Sequence, residues 1–354
     1  MRRRAGCRHG ITRLSATILS IVILISLILG IVRGTRIIGT DHEPSLNSTL
    51  LFDDSMFGSF LKAKNSPAPI GIASYGLHNH SYVLQPCTVS TTAVQGEANI
   101  ASLSAFAIEI YAYNNFSCNQ CAALQLNLNL VVQTGHGEQV FWVQNVVSFQ
   151  DTSKHSLFAL ADIVFNLTKP DSNISSRVYG AGSVQPLFNI RTVYGFGEPA
   201  QISQVKFGFP LHIKLETSVQ VLSNQSSVKL SFYDDLLGNK TFDTAYFSIS
   251  GVHAASFVVS PYELIPYGNK SLDGNYDAEL VWAGYCSGET AKFVIMDSSL
   301  SLIYLNSKNI LVPFPSYYTY GSDSGEKAIN LEVLPTQEGA RVTIGANNNS
   351  LLKN

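Results

Sequence analysis

The feature that most constrains the fold is an alternation of apolar and polar side chains that recurs along most of the chain. Its clearest case runs from Leu124 to Val131, where leucines occupy every second position and Gln or Asn fill the positions between. Successive side chains on a β-strand point to opposite faces, so this run predicts a strand with an apolar face and an amide face. An antiparallel sheet with one buried face and one solvated face is the expected setting.

Short β-rich runs of this kind continue to the end of the chain, and no stretch after Val32 keeps a helical apolar period for long. They predict an all-β domain over residues 67–340, either an antiparallel β-sandwich or two packed sandwich-like or barrel-like units. A sub-boundary is expected near residues 200–225, where Pro210 marks a strand boundary, and residues 341–354 form a polar tail. The further predicted strands are 140–149, 204–221, 227–233, 292–304 and 328–333.

The N-terminus carries an uncharged apolar run, residues 14–32, with arginines on both sides. A run of about 20 apolar residues spans a bilayer and exceeds the usual apolar core of a signal peptide. We therefore expect residues 1–36 to form a basic cytoplasmic tail and one transmembrane signal anchor, with a cleaved signal as the alternative. Residues 37–66 are a linker or a pro-segment. The rest of the chain is then extracellular, either anchored to the membrane or secreted.

Two further features agree with export. Cys87, Cys118, Cys121 and Cys286 lie beyond the apolar run, and an even number of cysteines in an oxidising compartment favours disulfides, whose connectivity the sequence leaves open. A zinc site is the alternative, but the second pair of cysteines lacks the C-x-x-C spacing. Sequons for N-glycosylation occur at Asn47, Asn79, Asn115, Asn166, Asn173, Asn224, Asn239, Asn269 and Asn348.

Charge and motifs exclude several classes of function. Charged residues make up 14% of the chain and the net charge is −2, without a basic patch for nucleic acid or a phosphate-binding fingerprint. The chain lacks G-x-S-x-G, the motif around the nucleophilic serine of many hydrolases. It also lacks the zinc motif H-E-x-x-H, and no metal or other cofactor is expected. The one literal D-S-G match, Asp323-Ser324-Gly325, has no second copy, which argues against a bilobal pepsin-type dyad. The oligomeric state is not readable.

One predicted strand, Tyr276–Trp282, carries two acids on one face. Ala278, Leu280 and Trp282 share the apolar face, which places Asp277 and Glu279 together on the other. Two like charges on one face cost free energy when both are ionised. The strand is therefore either a solvent-facing one that tolerates both acids or the carrier of a carboxyl pair that shares a proton.

Two other runs place polar groups in apolar strands. Gln144 interrupts the run 141–149, and a buried amide there must find hydrogen-bond partners or cost about 1 to 3 kcal/mol. If residues 93–100 are extended, Gln95, Glu97 and Asn99 share one side. A structural hydrogen-bond network explains either run as well as catalysis does.

Six blocks in order give the chain a family resemblance. They resemble the thermopsin family, exported acid peptidases of heat- and acid-loving archaea that are traditionally grouped with aspartic peptidases. The resemblance implies endopeptidase activity on polypeptides at low pH. Gln144 and Ala278-Glu279 are also similar to the Gln and Glu strands of the β-sandwich glutamic peptidases. The blocks are residues 69–77, 92–100, 124–130, 141–146, 276–282 and 313–321.

These residues suggest a mechanism. Glu279 is expected to activate a water for attack on the scissile carbonyl and then to protonate the leaving amine. Gln144 positions that water and donates a hydrogen bond to the oxyanion, while Asp277 or Glu97 is the second carboxyl. The alternative function is a non-catalytic cell-surface β-protein, either an envelope component or a carbohydrate-binding module.

Overall fold

The structure is a computed structural model, which describes part of the chain. The predicted anchor at residues 14–32, the segment 37–66 and the motif Asp323-Ser324-Gly325 lie outside that part. Within it, no helix is long and apolar enough to cross a membrane. The described residues are 70–80, 83–107, 120–151, 156–167, 178–179, 183–187, 191–200, 209–223, 227–236, 238–249, 251–263, 275–283, 291–314, 327–328, 330–336 and 339–345.

All regular structure in these ranges is β-structure, as predicted. The strands are β1 (Ile70–Ser74), β2 (Leu77–His80), β3 (Val83–Pro86), β4 (Val89–Thr91), β5 (Ala93–Ala107), β6 (Gln120–Thr134), β7 (Gly137–Asp151), β8 (Ser156–Asn166), β9 (Val178–Tyr179), β10 (Ser183–Leu187), β11 (Arg191–Ala200), β12 (Leu211–Val221), β13 (Ser227–Leu236), β14 (Asn239–Ser248), β15 (Val252–Glu263), β16 (Asn275–Tyr276), β17 (Ala278–Ala283), β18 (Ala291–Leu305), β19 (Leu311–Pro313), β20 (Lys327–Ala328), β21 (Glu332–Pro335) and β22 (Gly339–Ile344).

The strands form two large sheets and one hairpin. The first sheet has the order β1-β17-β6-β7-β8-β11-β10, with β15 also paired to β6, β4 and β16. The second has the order β21-β22-β18-β5-β12-β13-β14-β9, with β19 and β20 on β18, and β2-β3 form the hairpin. The described pairs are antiparallel apart from the short β18–β20 pair. The prediction of antiparallel all-β structure is confirmed.

The two large sheets pack against one shared apolar core. The core faces of β6 and β12 bring their alternate leucines and isoleucines into it, which is the outcome that the two-residue period requires. Across this core, Gly96 of β5 faces Leu280 of β17. A Cβ atom at Gly96 would lie 2.8 Å from Leu280 Cδ1, so the absent side chain is what allows this approach.

Some predicted strand limits hold and others do not. β12 begins at Leu211, directly after Pro210, so the strand boundary predicted at this proline is confirmed. The run 328–333 is not one strand, because Asn330 has a left-handed backbone with φ of 53° and separates β20 from β21. Cys87 is a free thiol, so the expectation of a disulfide is wrong for this cysteine, whereas the side chains of Cys118, Cys121 and Cys286 lie outside the described part.

The expectation of a solvated amide face on β6 is wrong. Leu124, Leu126 and Leu128 lie in the core as expected, but Asn127 and Asn129 on the opposite face are only 5% and 2% exposed. Buried amides must be hydrogen-bonded, and these amides bond to other polar side chains of the same face. The first sheet is therefore buried on both faces along β6, and its outer face there is polar.

Candidate active site

A change of strand partner along one edge of β6 places Asp277. β17 pairs with Ala123–Leu128 of β6, and β15 pairs with the same edge from Leu130 onward. The chain runs from β16, which lies on β15, into β17, which lies on β6, and Asp277 is the residue between the two strands. An Asp is disfavoured inside a strand, and this junction relieves that conflict. Asp277 therefore lies where the hydrogen-bonded pairing between neighbouring strands is interrupted.

Asp277 and Glu279 are held by alternate amides of β6. Asn129 Nδ2 donates to Asp277 Oδ1 at 2.7 Å and to the Asp277 backbone oxygen at 3.3 Å. Asn127 Nδ2 donates to Glu279 Oε2 at 3.2 Å. Both acids are half-buried, whereas Ala278 and Leu280 between and beyond them lie in the core. The predicted division of this strand into an apolar face and an acidic face is confirmed.

Gln144 joins this group through Asn127. Its side chain is 1% exposed, and its Nε2 donates to Asn127 Oδ1 at 2.8 Å and to Gln125 Oε1 at 3.1 Å. Gln144, Asn127 and Glu279 are register partners on three adjacent strands. Strands lie about 4.8 Å apart, so the backbones at Gln144 and Glu279 are roughly 10 Å apart. The structure thus brings the two residues to one network with an asparagine between them.

The electrostatics of the pair favour a bound proton. Burial raises the pKa of Asp277 well above its ordinary value, and the neighbouring Glu279 charge raises it further. The hydrogen bond from Asn129 and a backbone hydrogen bond lower the same pKa but do not cancel the rise. Asp277 therefore keeps its proton at a pH where a solvated Asp has lost it.

Glu97 lies elsewhere. It is on β5 in the second sheet, where its Oε1 accepts a hydrogen bond from Gln95 Nε2 at 2.6 Å and its Oε2 lies 3.6 Å from His212 Nε2. Gly96 faces Leu280 across the core, so the side chain of Glu97 projects to the far side of its sheet. The structure does not bring Glu97 to Glu279, and of the two proposed second carboxyls only Asp277 is beside it.

Sequence reasoning missed Asn127 and Asn129 as members of this group. The signal was present in the alternation Leu126-Asn127-Leu128-Asn129, but an amide face reads as a solvated face when the next strand is unknown. Only the pairing of β6 with β17 shows that these amides meet two acids. Two carboxyls, one of them protonated, within a network of amide donors can exchange a proton with a water molecule and stabilise developing negative charge.

Comparison with known proteins identifies the family. The sequence profile described as Thermopsin matches residues 57–331. The chain is also 32% identical over 275 residues to a protein named Thermopsin from Sulfolobus acidocaldarius, a match that covers 77% of this chain and 78% of the relative. The profile match includes Gln144, Asp277 and Glu279. The chain therefore belongs to the thermopsin family and is an acid endopeptidase.

Proposed function

We propose that the peptide bond is hydrolysed at the pair formed by Asp277 and Glu279. Glu279, as the carboxylate, takes a proton from a water molecule as that water attacks the scissile carbonyl, and then returns the proton to the leaving amine. Asp277 stays protonated throughout, which limits the charge of the pair to −1 and makes Glu279 the base. This assignment is supported by the raised pKa of Asp277 and by its position beside Glu279.

Gln144 acts in this scheme through Asn127. Because Gln144 Nε2 donates to Asn127 Oδ1, the Asn127 side chain must turn its NH₂ group toward Glu279. One hydrogen of that group meets Glu279 Oε2, and the second is available to the oxyanion of the tetrahedral intermediate. Both hydrogens of Gln144 Nε2 are engaged by Gln125 and Asn127, so Gln144 is a positioning residue.

The observation that carries the proposal is the one-to-one match of two acids with two amides: Asn129 on Asp277 and Asn127 on Glu279. A solvent-facing strand that tolerates its acids has no need of buried amides opposite each of them. A serine–histidine apparatus would have its base protonated in acid, whereas a carboxyl pair with one proton works there.

The test is Glu279→Gln assayed for cleavage of a denatured protein at pH about 3. We expect turnover to fall by about a thousandfold with the folded state retained, because the amide cannot accept the proton from water. The control is Glu97→Gln, which changes a Glu of the same chemistry on the other sheet and should keep wild-type turnover. Substantial turnover by the Glu279 variant at pH 3 would remove this residue from the reaction.

The proposal extends to the place where the enzyme acts. In it, the two packed sheets form a β-sandwich outside the cell, preceded by a membrane anchor or cleaved signal at residues 14–32, and the sequons are glycosylated. The apolar length of that run and its flanking arginines support this placement. Fractionation of cells that express the full chain tests it, since recovery of the protein in the soluble cytoplasm would contradict export.

A further inference from the structure

A second group of carboxyls lies between the two large sheets, apart from the proposed pair. Asp162 on β8 belongs to the first sheet, and Asp234 on β13 and Asp243 on β14 belong to the second. Their exposed fractions are 1%, 3% and 1%. Asn145 is the register partner of Asp162 and bonds across the gap, to Asp234 and, at 3.5 Å, to the backbone oxygen of Glu216. The group therefore connects one sheet to the other.

The hydrogen-bonding pattern of this group fits neutral carboxyls. Among the described residues, none donates a hydrogen bond to either oxygen of Asp162 or to Asp234 Oδ1. A carboxylate with so few donors is strongly disfavoured in a buried site. Asn145 Oδ1 is buried and receives no hydrogen bond from a described residue, although the Asn145 side chain bonds to Asp234. A protonated carboxyl supplies an O–H that this oxygen can accept, and an ionised one does not.

No described cation faces Asp162 or Asp234 to balance a negative charge. Apart from Asp234, the charged side chains of β12 and β13 lie on the opposite face of the second sheet, where Lys214 pairs with Glu216 at 3.4 Å. On β14, Lys240 is exposed, and on β7 Glu138 bonds to Gln133 and Tyr276 instead. The titratable groups of β12 and β13 on the opposite face are His212, Lys214, Glu216, Lys229, Tyr233 and Asp235.

The electrostatics point the same way. Burial, followed by the charges of Asp234 and Asp243, raises the pKa of Asp162 well above its ordinary value. Burial raises the pKa of Asp234 from 3.8 to about 7, with the hydrogen bond from Asn145 opposing the rise and the charge of Asp243 adding to it. These carboxyls hold protons in mild acid that they would release if they were solvated.

We propose that Asp162, Asp234 and Asp243 form a proton-dependent latch, which holds the two sheets together in acid and weakens as the solution is neutralised. The latch acts on the fold and does not depend on which residues cut the substrate. Its effect on function is to confine a peptidase to acidic surroundings, because the same chain loses its folded state near neutral pH.

The sign of the effect follows from proton linkage. An acid whose pKa is higher in the folded state binds more protons there than in the unfolded state, so folding is favoured by low pH. The contribution is complete below pH 3.8 and is lost as the pH rises toward about 7 for Asp234. Each such carboxyl raises the unfolding equilibrium constant about tenfold per pH unit within its window, or about a thousandfold for Asp234 across it.

The first measurement uses the wild-type protein. Denaturant unfolding followed by near-UV circular dichroism at several values between pH 3.5 and 7.5 should give a midpoint that falls continuously from pH 4 to pH 7. A midpoint that stays constant or rises over that interval overturns the latch. Asp277 contributes a change of the same sign, so variants are needed to assign the effect.

The variants are Asp162→Asn and Asp234→Asn, which replace a carboxyl with a neutral group of the same shape. In each variant, the rise of the unfolding equilibrium constant with pH should be smaller than in the wild type by close to a factor of ten per pH unit. Each variant should also remain folded at a higher pH than the wild type. The matched control is Asp235→Asn, one residue along β13 on the opposite face, which should keep the wild-type slope between pH 4 and 7. Wild-type slopes in both latch variants, or failure of both to fold at pH 3.5, would contradict the proposal.

Discussion

The outer pair, Asp277 and Glu279, and the inner trio, Asp162, Asp234 and Asp243, are both carboxyl groups removed from water, yet their surroundings differ. Asn129 and Asn127 donate to the outer acids, which are also half-buried. Asp162 is almost fully buried, and no residue in the described ranges donates to either of its oxygens. Hydrogen-bond donors stabilise the charged form of a carboxyl, whereas burial without donors destabilises that form and favours the neutral one. The first environment suits a group that must gain and lose a proton, and the second suits one that keeps it.

The largest expected effect separates the two regions by activity. Glu279→Ala should reduce kcat at pH 3 by about 10² to 10⁴, because the pair loses the carboxylate that takes the proton from water. Asp162→Asn should leave kcat at pH 3 close to that of the wild type. Steady-state kinetics on one peptide substrate checks both, and equal losses in the two variants would break the distinction.

The next effect tests packing without a change in charge. Gly96→Ala adds a methyl group 2.8 Å from Leu280 Cδ1, and overpacking of this kind costs about 1 to 3 kcal/mol of unfolding free energy. Because no titratable group is changed, the loss should be the same at pH 3.5 and pH 6. Leu280→Val in the same chain should restore part of it. A loss that grows with pH would mean that sheet packing, and not the inner acids, sets the pH dependence.

A matched pair of amide variants sharpens the comparison. Asn129→Ala removes a hydrogen bond that lowers the pKa of Asp277, so the high-pH limb of kcat/KM should move upward by about one unit. Asn145→Ala removes the corresponding bond to Asp234, and it should extend the pH-dependent loss of stability to higher pH. Activity and unfolding profiles measured on both proteins check this. A shifted activity profile in Asn145→Ala and a shifted unfolding profile in Asn129→Ala would mean that the inner acids serve catalysis and the outer pair sets stability.

The smallest effect concerns an ion pair at the surface. Arg341 Nε and Nη2 each lie 2.9 Å from an oxygen of Asp297 on β18. The guanidinium is about half exposed, so solvent and salt screen the pair and Arg341→Gln should cost about 0.2 to 1 kcal/mol. Unfolding in low and high salt measures it, and the difference between wild type and variant should shrink with salt. If this substitution cost as much unfolding free energy as the replacement of a buried acid, burial would not be what sets the size of these effects.

The sequence alone predicted much of the fold, because a two-residue period leaves few alternatives. It predicted the acidic face and the apolar face of the run Tyr276–Trp282, but not the break at Asp277 that divides this run into β16 and β17. It also predicted that Gln144 would be buried and would need partners. It did not predict which strand lies beside β17, and without that neighbour the amides of Asn127 and Asn129 are typical of a solvated surface.

The local pattern thus determined the strands, the side of each strand that faces the core and the family to which the chain belongs. Tertiary structure alone decided which carboxyls meet. Glu97 lies on the other sheet and Asp277 beside Glu279, and residues as distant in sequence as Asp162 and Asp243 share one buried space. The physical reason is that alternation is a property of neighbouring residues, whereas a pKa depends on burial and charge contributed by strands from anywhere in the chain.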